Sequence, residues 1–213
     1  MPLAGKLFEN SRFRSGFIFQ HTTAEYICGT ANIFCRGDSL KRSLNKWQIA
    51  GFIFTGISGV LLHFLYGWTD KSIFAAPFSA VNESIWEHMK LLFFPMFVFA
   101  LIEYQLIGKI HKDFWCAKLI GILTGLILIP TLYYTYTGIT GVNADWFNIT
   151  IFFIAAGTAF YLETLFFKNR LPCQNPSLAF AILCVIAAVF VVMTFVQPQI
   201  PLFQDPTTGT YGI

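Results

Sequence analysis

Long uninterrupted apolar runs, rather than alternating apolar and polar positions, dominate the chain after residue 46. A membrane-spanning helix needs roughly 20 mostly apolar residues. Strands of a membrane barrel would alternate apolar and polar residues, and a run such as LLFFPMFVFALI does not. The pattern predicts an all-α membrane protein with five transmembrane helices. The predicted spans are Gln48–Trp68, Met89–Gly108, Leu119–Tyr136, Phe147–Phe167 and Ser177–Val196.

The composition supports this class. Hydrophobic residues make up 55% of the 213 residues and charged residues only 12%, whereas a soluble domain carries about 25% charged residues. A soluble fold would therefore lack the polar groups needed to cover its surface. We divide the chain into a basic cytoplasmic segment, 1–46, expected to be poorly ordered, a five-helix transmembrane domain, 47–197, and an extracytoplasmic tail, 198–213.

Positive charges near the span ends predict the orientation, because cytoplasmic loops carry an excess of Lys and Arg. Eight such residues lie on one side and two on the other. The N-terminus is therefore expected inside and the C-terminus outside. The first side carries Lys41, Arg42, Lys46, Lys109, Lys112, Lys118, Lys168 and Arg170, and the second carries Lys71 and Lys90. Beyond residue 46 the chain is slightly acidic, which argues against nucleic acid as a partner.

The five cysteines are an odd number and do not form the pattern of a disulfide framework. Cys28 and Cys35 have no second Cys or His pair to complete a zinc site. We therefore expect free thiols at Cys28, Cys35, Cys116, Cys173 and Cys184.

The stretch AVNESIWEHMKLLFFP concentrates ionisable groups at the outer start of the second span. Zinc accepts imidazole nitrogen and carboxylate oxygen, and an ionisable group inside a membrane indicates a functional site. The stretch, with a histidine in the outer half of the first span, predicts an outward-facing polar pocket. The candidate ligand-binding residues are His63, Asn82, Glu83, Glu87, His88 and Tyr134. The candidate ligands of a divalent metal are His63, Glu83, Glu87 and His88.

A structural interpretation of the same stretch stays open. Asn82 is a favourable helix N-cap, and Ser84 with Glu87 fits the Ser-x-x-Glu capping box. Acidic groups in a first helical turn also favour the positive end of the helix dipole. His63, in turn, could simply bond to a neighbouring helix.

Two glutamates, Glu103 and Glu163, lie within spans five or six residues before a cytoplasmic lysine. Neither has Lys or Arg at the third or fourth position after it, so any ion pair must come from another element. We consider two roles: a proton or cation relay, as intramembrane carboxylates often provide, or a carboxylate near the interface bonded to a neighbouring helix.

The segments LLHFLYGW and SAVNESIWEHMKLLFFPMFVFALIEY, with the C-terminal PLFQDPTTGTYGI, resemble a family of small bacterial integral membrane proteins of unknown function. The shared signature is Asn-Glu-Ser-x-Trp-Glu-His-x-Lys, and the resemblance extends from about Lys41 to the C-terminus. It implies a multi-pass protein of the bacterial cytoplasmic membrane, and it implies no activity.

Three functions remain open from the sequence. The first is a membrane protein that binds a cation or small ligand, as a small transporter or a subunit of one. The second is a membrane-embedded metal-dependent hydrolase acting on a lipid or envelope substrate, so the sequence leaves open whether the protein is an enzyme. The third is a structural partner protein. Besides the bilayer, we expect a second copy or a partner membrane subunit, because five spans are few for a solitary transporter.

Overall fold

A computed structural model of the chain describes residues 44–106, 108–169 and 173–213. In these ranges, five helices are long and apolar enough to cross a membrane, which confirms the predicted helical class. The helices are α1 (Leu44–Trp68), α2 (Ile85–Leu106), α3 (Phe114–Thr140), α4 (Asp145–Asn169) and α5 (Pro176–Phe195). Short 3₁₀ turns cover Gly108–Ile110 and Pro201–Phe203. Residues 1–43 of the predicted N-terminal segment lie outside the described residues.

All five helices begin before their predicted spans, and α3 and α4 also end after them, whereas α2 and α5 end two residues and one residue earlier than predicted. α2 begins at Ile85, before the predicted start of the second span, and the Ser84 hydroxyl accepts the Glu87 N–H at 3.4 Å. This contact is one half of the predicted capping box. α3 ends at Thr140, and the next residue, Gly141, caps it with a φ of 67°, the left-handed conformation that glycine adopts without strain.

Successive helices run in opposite directions. The top of the bundle, as we call it, holds the ends of α1, α3 and α5 and the starts of α2 and α4; the bottom holds the opposite ends. Gln48 near the start of α1 reaches Glu103 near the end of α2, and His63 near the end of α1 lies beside His88 near the start of α2. Both contacts follow from this arrangement.

α3 packs against α2, α4 and α5, and glycines permit the close approach. A Cβ on Gly125 would lie 2.7 Å from Cδ2 of Leu92, and one on Gly121 would lie 3.0 Å from the Ala159 carbonyl oxygen. The GILTG motif in α3 therefore acts as a small-xxx-small packing surface.

The prediction of free thiols is wrong for two cysteines. A disulfide joins Cys116 at the start of α3 to Cys173 before α5, with 6.0 Å between their Cα atoms. The residues before α5 fold back onto the start of α3, where the Asp113 carboxylate accepts the Cys173 N–H at 3.2 Å. Sequence spacing gave no indication of this approach. Cys184 is a free thiol.

Two non-helical segments cover the top of the bundle. In the α1–α2 connection, Ala76 and Ser79 are fully buried. The C-terminal tail folds back so that Phe203 stacks on Trp86 of α2, with ring centroids 4.5 Å apart. These segments bring loop and tail residues to the start of α2.

Candidate metal centre

Three side chains converge at the top of the bundle from separate elements. His63 lies on α1, Glu83 lies in the connection just before α2, and His88 lies in the first turns of α2. Oε1 of Glu83 is 3.6 Å from Nε2 of His63, and its Oε2 is 3.7 Å from Nε2 of His88. The three ligand atoms lie within 4.8 Å of one another, and among the described residues this is the group of His, Cys and acidic side chains close enough to hold a metal.

The separations fit metal ligands better than hydrogen-bonded partners. At 3.6 and 3.7 Å the carboxylate and the imidazoles are beyond hydrogen-bond distance. Two ligand atoms bound tetrahedrally to one zinc at about 2.0–2.1 Å lie roughly 3.4 Å apart. Small side-chain rotations of Glu83 would therefore bring both pairs to zinc-binding distance.

A second contact fixes the orientation of one imidazole. Nδ1 of His88 lies 2.9 Å from the Ser84 carbonyl oxygen. This contact assigns the proton to Nδ1, so Nε2 carries the free lone pair and faces Glu83. A backbone carbonyl that holds the far nitrogen is the usual outer partner of a metal-binding histidine.

The three side chains line a cavity of about 410 Å³ between α1 and α4. Their side chains are accessible, with exposed fractions of 27% for His63, 22% for His88 and 52% for Glu83. Asp145 and Asn148 of α4 add polar groups to a largely apolar wall. A metal held here would have an open coordination position facing a space large enough for a small ligand.

The C-terminal tail supports the loop that carries Glu83. The buried carboxylate of Asp205 accepts backbone N–H groups of Thr207, at 2.7 Å, and Thr208, at 3.3 Å. The pKa of Asp205 lies below its ordinary value: burial alone would raise it, but these N–H groups and the N–H of Glu83 outweigh burial. Thr207 also lines the cavity. Asp205 and Thr207 were not predicted as site residues, because the sequence identifies 198–213 only as a tail.

Two predicted residues are placed apart from the cluster. Asn82 accepts the Ser84 N–H at 3.0 Å and donates to the Gly212 carbonyl at 3.1 Å, so it holds the turn before α2 and the tail. The prediction that Asn82 is the N-cap is wrong, because α2 begins at Ile85 and Ser84 occupies the cap position. Glu87 is fully buried and forms an ion pair of 2.6 Å with Lys90. The structure thus gives Glu87 a structural partner and does not bring it to the three metal-ligand candidates.

Nor does the structure bring Tyr134 to the cluster. Its side chain lies on an exposed part of α3, whereas the adjacent Tyr133 lines a small cavity together with Glu83 and His88. Adjacent residues on a helix point about 100° apart. The prediction of Tyr134 was therefore wrong by one position, and it is Tyr133 that faces Glu83 and His88.

The comparison with known protein families identifies one matching family and the residues that it covers. The model of a family described as "Family of unknown function (DUF6512)" matches residues 38–213. The chain belongs to this family. No curated protein and no solved structure matches it significantly. The DUF6512 match begins close to the start of the resemblance expected from the sequence, and its description supplies no activity.

A second cluster of this DUF6512 chain lies near the bottom of the bundle. Glu103 of α2 and Glu163 of α4, paired by the sequence analysis, both contact Lys118 of α3 at 2.5 Å. The ion pair comes from another element, as predicted. Lys118, however, was counted as a loop charge; α3 begins at Phe114, which places this lysine inside the bundle.

Proposed function

We propose that this protein is a multi-pass membrane protein that binds a divalent transition-metal ion, with zinc the best match, through His63, Glu83 and His88. The observation that carries the proposal is the convergence of three potential ligand atoms within 4.8 Å. Two imidazoles and one carboxylate form a common zinc-binding set that leaves a coordination position open. The Ser84 carbonyl orients His88, and the C-terminal tail supports the loop that carries Glu83.

The proposed site faces the outside of a bacterial cytoplasmic membrane. Lys118 and Lys90 are buried inside the bundle and no longer count as loop charges. Of the remaining lysines in the described part of the chain, four lie at the bottom and one, Lys71, lies at the top, which supports a cytoplasmic bottom and an outward-facing top. The four are Lys46, Lys109, Lys112 and Lys168.

A metal ion held beside an open cavity could be captured from outside and passed on. The first candidate function is therefore a small transporter or a subunit of one. A membrane-embedded metal-dependent hydrolase is the second. It is favoured by Asp145, a carboxylate in the same cavity that could serve as a general base. Zinc uptake into proteoliposomes would support the first candidate, whereas zinc-dependent turnover of a lipid ester or amide without uptake would support the second.

Calorimetric titration of the metal-free, detergent-purified protein with zinc tests the binding. We expect one zinc per chain in the wild type and a large loss of affinity in Glu83→Gln. Asp70→Asn is the matched control, because it removes an exposed carboxylate of the same α1–α2 connection. Equal binding by the wild type and Glu83→Gln, or loss of binding in Asp70→Asn alone, would reject the site.

A further inference from the structure

The cluster near the bottom of the bundle is a second place where ionisable groups meet, and it is independent of the metal centre. Nζ of Lys118 lies 2.5 Å from Oε2 of Glu103 and 2.5 Å from Oε2 of Glu163. The three side chains come from three helices and are at most 1% exposed. Such a group within membrane-spanning helices is costly to bury and marks a functional site.

The charges of this cluster do not balance. Two carboxylates face one ammonium group, so the fully ionised cluster carries one net negative charge. Among the described residues, the charged groups acting on Glu163 are Lys118 and Glu103; α1 contributes the neutral amide of Gln48. A buried charge without a partner is strongly destabilising, and uptake of one proton removes it.

Buried oxygens without a hydrogen-bond partner lie at this cluster, and a carboxylate oxygen among them can accept a proton. Oε1 of Glu163 and Oε1 of Gln48 are buried, and neither has a hydrogen-bond partner in the described part of the chain. Gln48 is oriented into the cluster by its Nε2, which donates to Oε1 of Glu103 at 3.3 Å. Gly121 leaves room at the free oxygen of Glu163, since a Cβ there would lie 2.7 Å from it.

An open cavity lies between α1 and α4 near the bottom of the bundle. It has a volume of about 400 Å³ and is lined by Gln48 together with polar residues near the end of α4, among them Thr164 and Lys168. Water in this cavity would reach Gln48, which contacts Glu103. The metal centre lies at the opposite end of the helices.

We propose that Glu103, Lys118 and Glu163 form a proton-binding site that exchanges one proton with water at the bottom of the bundle. A hydronium ion formed from water at the bottom of the bundle supplies the proton, and a carboxylate oxygen of the cluster accepts it; among the described residues, Oε1 of Glu163 is the buried carboxylate oxygen without a hydrogen-bond partner or a lysine contact. One O–H bond of hydronium breaks, one O–H bond forms at the carboxylate, water is released and the net charge of the cluster changes from minus one to zero. Deprotonation reverses the step. The proposal goes beyond metal binding and does not depend on it.

Infrared difference spectroscopy of the zinc-free protein in lipid nanodiscs, recorded as a function of pH, tests the site. The wild type should show the carbonyl band of a protonated carboxyl group that grows as the pH is lowered and shifts in D₂O. Glu163→Gln should abolish or displace this band. Asp70→Asn is the matched control and should keep it, because Asp70 is an exposed carboxylate at the opposite end of the helices.

A second variant keeps the test decisive if Glu163→Gln fails to fold. Gln48→Leu removes the amide that contacts Glu103 without changing a charge, and it should shift the frequency or the midpoint of the band. Absence of a titrating carboxyl band in the wild type would overturn the proposal. A band left unchanged by both Glu163→Gln and Gln48→Leu would also overturn it.

Discussion

Oε1 of Glu83 lies 3.6 Å from Nε2 of His63 on the preceding helix. Glu83 lies in the sixteen-residue connection between α1 and α2, 69–84. This connection folds back over the top of the bundle, with Ala76 and Ser79 fully buried. The connection therefore does more than link two helices, since it delivers a carboxylate to an imidazole on α1. The metal-centre predictions below depend on this placement.

Replacement of His88 should weaken zinc binding, whereas replacement of His111 should not. His88→Ala removes a proposed ligand, and we expect zinc affinity to fall by more than about 100-fold, beyond the 10- to 100-fold cost of losing an outer-shell partner. At free zinc about 100 times the dissociation constant, the wild type should gain about 2.7 kcal/mol in unfolding free energy, and His88→Ala should gain little. Thermal unfolding with and without zinc measures both.

His111→Ala is the matched control for that comparison. His111 lies at the bottom of the bundle, where it packs against Phe167 with ring centroids 5.6 Å apart. This variant should keep the zinc-dependent stabilisation. If it lost the effect while His88→Ala kept it, zinc would bind at the bottom instead.

The Glu87–Lys90 pair should matter for stability. Lys90 donates to the Ala76 carbonyl and to the Thr194 hydroxyl, both at 3.0 Å, so it links the connecting loop and α5. Lys90→Met leaves a buried carboxylate without its cation and should cost roughly 3–5 kcal/mol. Adding Glu87→Gln to Lys90→Met should recover part of this loss, which unfolding of the two single variants and the double variant would measure. Simple additivity of the two single effects would contradict the pairing.

The close contact of α3 and α4 predicts opposite effects for two glycines of the same helix. In Gly121→Ala the new Cβ meets Glu163 and the Ala159 carbonyl, and overpacking of this kind costs about 1–3 kcal/mol. Gly138→Ala meets nothing within 4 Å and should be neutral or stabilise by up to about 1 kcal/mol, since alanine favours a helix more than glycine does. Thermal unfolding in detergent compares the two, and equal effects would contradict the packing.

Stability should depend on pH through Asp205. Its pKa is lowered in the folded protein, because its backbone N–H partners outweigh the effect of burial. A lowered pKa contributes stability that is complete above the unfolded value of about 3.9 and is lost as the pH falls through the folded value. Asp205→Ala should therefore cost roughly 1.5–3 kcal/mol at neutral pH. Unfolding of wild type and variant over an acid pH series should show the difference shrinking only below that unfolded value; a constant difference would contradict the assignment.

The sequence predicted the helices well because a long apolar run in a membrane has few alternatives to a helix. It failed where a boundary or a long connection decides the geometry. The capping interpretation put the acidic groups of the stretch in a first helical turn, but α2 begins at Ile85. Glu83 therefore precedes the helix and is free to turn toward His88. Boundary placement also hid the burial of Lys118.

The two clusters differ in how far the sequence could identify them. Glu103 and Glu163 stood out because a carboxylate within an apolar run needs a partner, although the partner itself was not identified. At the top, His63 and His88 were identified as ionisable groups near a membrane. The contribution of Asp205 and Thr207 was not, because it depends on a tail that returns to the start of α2 through contacts such as Asn82 with Gly212.

X-ray absorption spectroscopy at the zinc edge, on the zinc-loaded protein, tests the central claim most directly. The wild type should show a first shell of nitrogen and oxygen ligands with the outer-shell scattering of two imidazoles. His63→Ala should show one imidazole fewer or no bound zinc. A first shell containing sulfur, or an unchanged two-imidazole signal in His63→Ala, would contradict a metal centre built from His63, Glu83 and His88.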